Sequence, residues 1–173
     1  MMKSILCALD GSSHAERALD LAVELATKFD SRLVLFHVLM RNLDAVEIRR
    51  FSEVEGLTAE SIAEVQRLQN VDSRIEVGHP FDAKGIPSKT LVELGQHILG
   101  SARSSAVEKG VSDIVTVVGD GDPAARILTC AENEKVDCII MGSRGLSDIR
   151  ALLQGSVSRK VSNRADCTII TVR

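Results

Sequence analysis

Residues 136–161 read "VDCIIMGSRGLSDIRALLQGSVSRKV". An apolar, strand-like run from Val136 to Met141 meets Gly142 at once, and Gly145 follows three residues later. Nine residues separate Gly145 from Gly155-Ser156, where a new helical pattern opens. Glycine at the end of a buried strand lets a backbone approach a ligand closely. A helix that begins beside the third glycine offers unsatisfied N–H groups and the positive end of its dipole, which suit an anion. The hydroxyls of Ser156 and Ser158 are further donors. The pattern reads as a polyphosphate cradle. A turn followed by a plain glycine-serine helix cap fits the spacing equally well, so spacing alone leaves both readings open.

Outward from this stretch, strands and helices alternate. Ile5 to Leu9 is a short apolar run ending at Asp10-Gly11. Ser13-His14-Ala15-Glu16 reads as a capping box, and Ala15, Ala18, Leu19, Ala22, Leu25 and Ala26 form one helical face. Leu33 to Val38 is a second buried strand. A helical pattern over about 88–109 carries Leu91, Leu94, Ile98 and Ala102 on one stripe and ends at Gly110. Ile114 to Val118 is a third strand, and a helix starts at Pro123 and runs to about Lys135. After the strand at 136–141, a short helix from Ser156 to about Arg164 precedes a last strand, Thr168 to Val172. The alternation predicts an α/β fold, a parallel sheet with helices on both faces. Ligands of such sheets sit outside the carboxyl ends of the strands, where strand order reverses. Asp10, Val38 and the Gly142–Ser156 stretch should therefore line one edge.

The segment at about 41–89 breaks the alternation. It reads as an insertion between strand 2 and helix 2 of a single domain spanning 1–173, packing on the site or forming an arm. Long loops in compact domains are often functional.

Composition excludes several classes. The chain has 173 residues, a net charge of −3 and 2% aromatics without Trp or Tyr. That argues against nucleic acid as a partner, because neither a basic field nor a stacking platform is present. The longest apolar runs are strand-sized, too short to insert in a membrane. The opening Met1-Met2-Lys3-Ser4 lacks the layout of a signal peptide. Cys7, Cys130, Cys138 and Cys167 show no CxxC spacing and read as reduced thiols of a cytoplasmic protein. His14, His37, His79 and His97 show no metal spacing. His37, inside a strand, reads as a packed core histidine. Gly119-Asp120-Gly121-Asp122-Pro123-Ala124 matches a dinucleotide fingerprint in form. Asp120 and Asp122 would repel a pyrophosphate, so a plain turn and helix start is the better reading.

"GSRGLSDIRALLQGSVS" resembles the G-x2-G-x9-G-[S/T] signature of ATP-binding universal stress proteins, through Gly142, Gly145, Gly155 and Ser156. "ILCALDGS", "LVLFHV", "GDPAARILTCAENEKVDCIIMGSRG" and "ADCTIITVR" extend the resemblance, in order, over most of the chain outside 41–89. It implies an open five-stranded parallel sheet, Rossmann-like and of the adenine nucleotide alpha-hydrolase-like kind, usually dimeric. It implies ATP with a divalent metal, here Mg2+ held through the phosphates and no protein ligands. By the same resemblance Asp10 contacts the nucleoside, Ala8 and Leu9 lie beside adenine, and Val38 offers its backbone to the base edge. Met141 and Gly142 line the ribose. Gly145, Gly155, Ser156, Val157 and Ser158 hold phosphates, with Arg144 placed to neutralise charge or to stand in solvent. Ala8 and Thr168 depart from the family's frequent prolines.

Fast reaction of ATP needs a positioned water or acceptor and a base, and the sequence offers no compelling base and so no catalytic residue. The expected function is a regulatory stress-response module in which ATP occupancy sets conformation or the choice of an unidentified protein partner. The expected assembly is a homodimer through the C-terminal strand. The alternatives are a slow ATPase or nucleotidyl-transfer enzyme, and a nucleotide-free dimeric scaffold.

Overall fold

The computed structural model describes residues 2–39, 88–145 and 155–173. The expected insertion at 41–89 therefore lies almost wholly outside the described residues. Among the described residues the elements run β1 (Ser4–Leu9), α1 (Ser13–Phe29), β2 (Arg32–Val38), α2 (Ser88–Glu108), β3 (Ile114–Gly119), α3 (Pro123–Asn133), β4 (Cys138–Gly142), α4 (Ser156–Ser162) and β5 (Thr168–Val172). Five parallel strands form one sheet in the order β3-β2-β1-β4-β5. The expected open parallel sheet is the one found, and β5 lies at its edge.

The unbroken apolar runs of β1, β2 and β4 follow from burial on both faces. Alternate residues of each strand enter two separate cores. Ile5, Cys7, Leu33, Leu35, Cys138 and Ile140 pack under α1 and α2, whose inner face supplies Ala18, Ala22, Val23, Ile98 and Ala102. Leu6, Val34, Phe36, Ile139 and Met141 pack under α3 and α4, against Ala124, Ile127 and Val161. The small alanines of α1 let that helix lie close to β1 and β4. Of the expected α2 stripe, Ile98 and Ala102 are buried; the side chains of Leu91 and Leu94 are outside the described ones.

The cysteines are free thiols. Burial pushes Cys130 and Cys138 up to about 11 and raises Cys7 as well, so all three stay protonated and unreactive near neutrality.

Two helix starts illustrate local control. At α3, Asp122 is the N-cap, its Oδ1 accepting from the Ala125 amide at 3.0 Å, with Pro123 in the first turn. The turn reading of the Gly119–Ala124 motif is correct. At α1 the cap falls at Ser12 rather than at the expected Ser13. Gly11 adopts φ 78°, open to glycine, and Asp10 Oδ1 accepts from the Ser12 amide at 3.0 Å. Ser12 is thereby fixed as the last extended residue, and its Oγ accepts from Ala15 N at 3.2 Å. Glu16 sits one position too late to complete a capping box.

At the opposite edge, the Asp137 carboxylate accepts from the amides of Lys3 at 2.6 Å and Ser4 at 3.0 Å, tying the start of β1 to β4. These amide bonds hold the carboxyl below the usual aspartate range. Asp137→Ala should lower the melting temperature. A folded-state depression adds stability above the ordinary carboxylate value of about 4 and loses it as pH falls through the depressed value. The gap between wild type and variant should thus be complete at pH 7 and close in acid, as thermal melts from neutral to pH 2 would show.

Candidate functional site

The sheet order reverses between β1 and β4: β1 leads on to β2 on one side, and β4 leads on to β5 on the other. A crevice is expected outside the carboxyl ends of this strand pair. Asp10 follows β1, and Gly142 ends β4, so both lie there.

Two glycines shape the crevice by what they lack. A Cβ on Gly145 would stand 2.5 Å from Asp10 Oδ2, so a side chain there would have to push the carboxylate aside. A Cβ on Gly142 would meet the Arg144 carbonyl oxygen and the Cβ of His14, each at 2.9 Å. Gly142 therefore closes directly against the first turn of α1. Asp10, Arg144 and Gly145 are half-buried. A carboxylate held in this position accepts hydrogen bonds and suits hydroxyl groups of a sugar better than a phosphate.

The chain beyond β4 is fastened through Ser143. Its amide donates to the Val172 carbonyl at 2.7 Å, and its own carbonyl accepts from the Gly155 amide at 2.7 Å. The same carbonyl accepts from Ser158 Oγ at 2.8 Å; that hydroxyl also lies 3.1 Å from the Gly155 carbonyl. The ends of β4, β5 and the start of α4 thus converge on one residue. Ser143 Oγ is buried and has no hydrogen-bond partner among the described residues.

The expected site residues fall into three groups. Asp10, Gly142, Arg144 and Gly145 gather at the switch point. Gly155 is the N-cap of α4 with no side-chain cap bond, and Ser156, Val157 and Ser158 form its first turn. Ser156 is exposed, Val157 half-buried and Ser158 only 2% exposed, its hydroxyl turned to backbone carbonyls. The Gly155 amide is likewise taken by Ser143. Ala8, Leu9, Val38 and Met141 close the strand ends, with Leu9, Val38 and Met141 buried. His14 is the residue that the sequence patterns did not bring to the site. Its position after the first strand was the available signal, but contact with Gly142 becomes visible only in three dimensions.

The arrangement fits a nucleotide in two respects: an acceptor for sugar hydroxyls, and backbone exposed by glycine where a side chain would intrude. Among the described residues no group of three or more His, Cys, Asp or Glu is arranged to hold a metal ion. No helix among the described residues is long and apolar enough to cross a membrane.

Residues 1–173 match the model of the Universal stress protein family. Universal stress protein YxiE of Bacillus subtilis is 31% identical over 173 residues, covering 100% of both chains. A universal stress protein from Archaeoglobus fulgidus, solved in complex with dAMP, gives a TM-score of 0.59 at 18% identity, over 100% of this chain and 98% of that one. A universal stress protein in complex with cAMP gives 0.61 at 20% identity, over 99% and 97%. At these identities the two solved structures speak for the shared fold.

The Ser143 clasp predicts a contrast between neighbouring serines. Ser158→Ala deletes a buried hydrogen bond and should cost about 1 kcal/mol of stability. Ser156→Ala, at an exposed position, should change stability by less than about 0.5 kcal/mol. Urea denaturation of both variants beside wild type checks the order.

Proposed function

Because the chain belongs to the universal stress protein family, we propose that its switch-point crevice binds an adenine nucleotide, ATP, and that occupancy modulates its conformation or its choice of protein partner. The contact of Gly145 with Asp10 carries this reading. Two segments 135 positions apart in sequence are brought so close that a single methyl group would collide with the carboxylate. The family members solved with dAMP and cAMP support adenine nucleotides as the ligand class.

In this reading Asp10 accepts from the ribose hydroxyls, Ala8, Leu9 and the backbone of Val38 border the base, and Met141 and Gly142 flank the sugar. Arg144, Gly145 and the first turn of α4 face the phosphates, with Ser156 as the exposed hydroxyl. Mg2+ would screen phosphate charge through phosphate oxygens and water. Among the described residues no side chain is assigned as a base for an attacking water, and we read a binding module in preference to the slow-ATPase alternative. The whole chain acts as one domain in the cytoplasm, with 41–89 as its insertion, and pairs as a homodimer along β5, where edge backbone groups invite a second strand.

A second reading, a nucleoside monophosphate, gains from the commitment of the Gly155 amide and the Ser158 hydroxyl to Ser143. Calorimetry with ATP, ADP, AMP and GTP separates the two: ATP should bind at least tenfold more tightly than AMP, and equal affinities would transfer the site to monophosphates. Gly145→Ala should weaken any adenine nucleotide by tenfold or more, about 1.4 kcal/mol, since the new methyl displaces the Asp10 carboxylate. Unchanged binding by that variant would remove the crevice from consideration.

A further inference from the structure

His37 is 1% exposed near the end of β2, packed in the core as expected, and its ring also makes a specific bond. Its Nδ1 lies 2.9 Å from the carbonyl oxygen of Leu9, the residue before Asp10. A carbonyl only accepts, so Nδ1 carries a proton and donates. In the neutral ring Nε2 then holds a lone pair, and it has no hydrogen-bond partner among the described residues. On that side the ring meets α2: a Cβ on Gly95 would lie 2.7 Å from His37 Cδ2 and 3.3 Å from Nε2. The absent side chain at 95 is what admits the imidazole.

We propose that His37 is a positioning residue for the nucleotide site, holding the Leu9–Asp10 peptide in place while its ring is neutral and losing that hold when Nε2 gains a proton. The inference rests on the nucleotide reading above for its ligand, but not for its geometry. A second proton would put a charge and an unsatisfied N–H against the backbone of α2, a costly burial. Relief requires the ring to move away from Gly95, and a ring displaced in this way strains its bond to Leu9.

The surroundings set the direction. Burial lowers His37 below the usual histidine range, opposed by its bond to Leu9 and by the negative charge of Asp10. Titratable positions on packed elements include His14 in the first turn of α1, His97 two residues after Gly95 in α2, and Cys7 two residues before Leu9 in β1. β3, which pairs His37 with Val118, contributes none. A folded-state value below the unfolded one of about 6.5 means that the neutral form's contribution is complete above that pH and is lost as pH falls towards the lowered value.

The test compares wild type with His37→Asn and His37→Leu. The asparagine amide reaches the place of Nδ1 and donates to Leu9 without titrating, whereas leucine fills space without donating. Calorimetry with ATP and Mg2+ from pH 8 to 5.5 gives the affinity profile. Phosphate protonation affects all three proteins alike, so the difference between profiles isolates His37. Below about pH 6.5 wild type should lose affinity more steeply than His37→Asn, by less than about tenfold at pH 5.5 because the lowered ring is only partly protonated there. At pH 8 His37→Asn should bind within about threefold of wild type and His37→Leu at least tenfold more weakly. Parallel profiles for wild type and His37→Asn would overturn the proposal while leaving the nucleotide reading intact. In ligand-free protein, the nitrogen chemical shift of the Asp10 amide, which shares its peptide with the Leu9 carbonyl, should titrate with the His37 ring and stay flat in His37→Asn. If wild type binds no nucleotide, that reading fails, and the Asp10 shift still decides: a titrating amide supports His37 as the holder of this peptide, and a flat one in wild type overturns it.

Discussion

The pairing of β1 with β4 is the contact on which the rest of the molecule depends. β1 has neighbours on both sides and helices on both faces, so each of its buried backbone groups must find a partner within the ladder. The register Ile5 with Cys138, Leu6 with Ile139, Cys7 with Ile140 and Ala8 with Met141 meets that demand and assigns every side chain to one of two cores. A slip by one residue would exchange the contents of those cores. The same register brings Asp10 level with the glycine-rich turn after β4. The site is thus a by-product of how the central strand is satisfied, and it needs no separate scaffold.

Much of this was legible in the sequence, because burial leaves a simple record. Double-sided burial writes itself as uninterrupted apolar strands, and the helices between them carry one apolar face each. The edge position of β5 and the packed nature of His37 also followed from composition and place. What the sequence did not carry were facts that depend on which atoms oppose one another across long separations. Ser12 rather than Ser13 caps α1, because Asp10 and Gly11 decide where extended chain stops. Ser158 looked like one more hydroxyl in a donor-rich turn, but helical periodicity turns it inward, and its proton goes to Ser143. His14 belongs to no motif and reaches the site only because Gly142 closes on α1. The bond from His37 to Leu9 requires the β1–β2 register, which no single strand announces.

Glycine has two distinct roles in this fold. At Gly11 the requirement is torsional, a backbone angle that side chains resist. At Gly142 and Gly145 the requirement is steric, since the space a Cβ would take is filled by another segment. The steric kind marks places where two distant parts of the chain share one volume, and Gly142 and Gly145 border the same crevice. Sequence spacing alone cannot tell the two kinds apart, which is why a phosphate cradle and a plain turn fitted Gly142–Gly155 equally well before the neighbours were known.

The hydrogen bonding of Ser143 has one further consequence. Its N–H belongs to the end of the edge strand through Val172, and its carbonyl belongs to the start of α4 through Gly155 and Ser158. One residue, through its two flanking peptides, therefore serves as a joint between the sheet's outer rim and the mouth of the crevice. Its N–H and its carbonyl lie on successive peptide planes joined at the Cα atom, so the joint turns only through the φ and ψ of this buried residue. If a ligand at the mouth shifts this residue, the end of β5 shifts with it, and the coupling energy is then equal in the two directions.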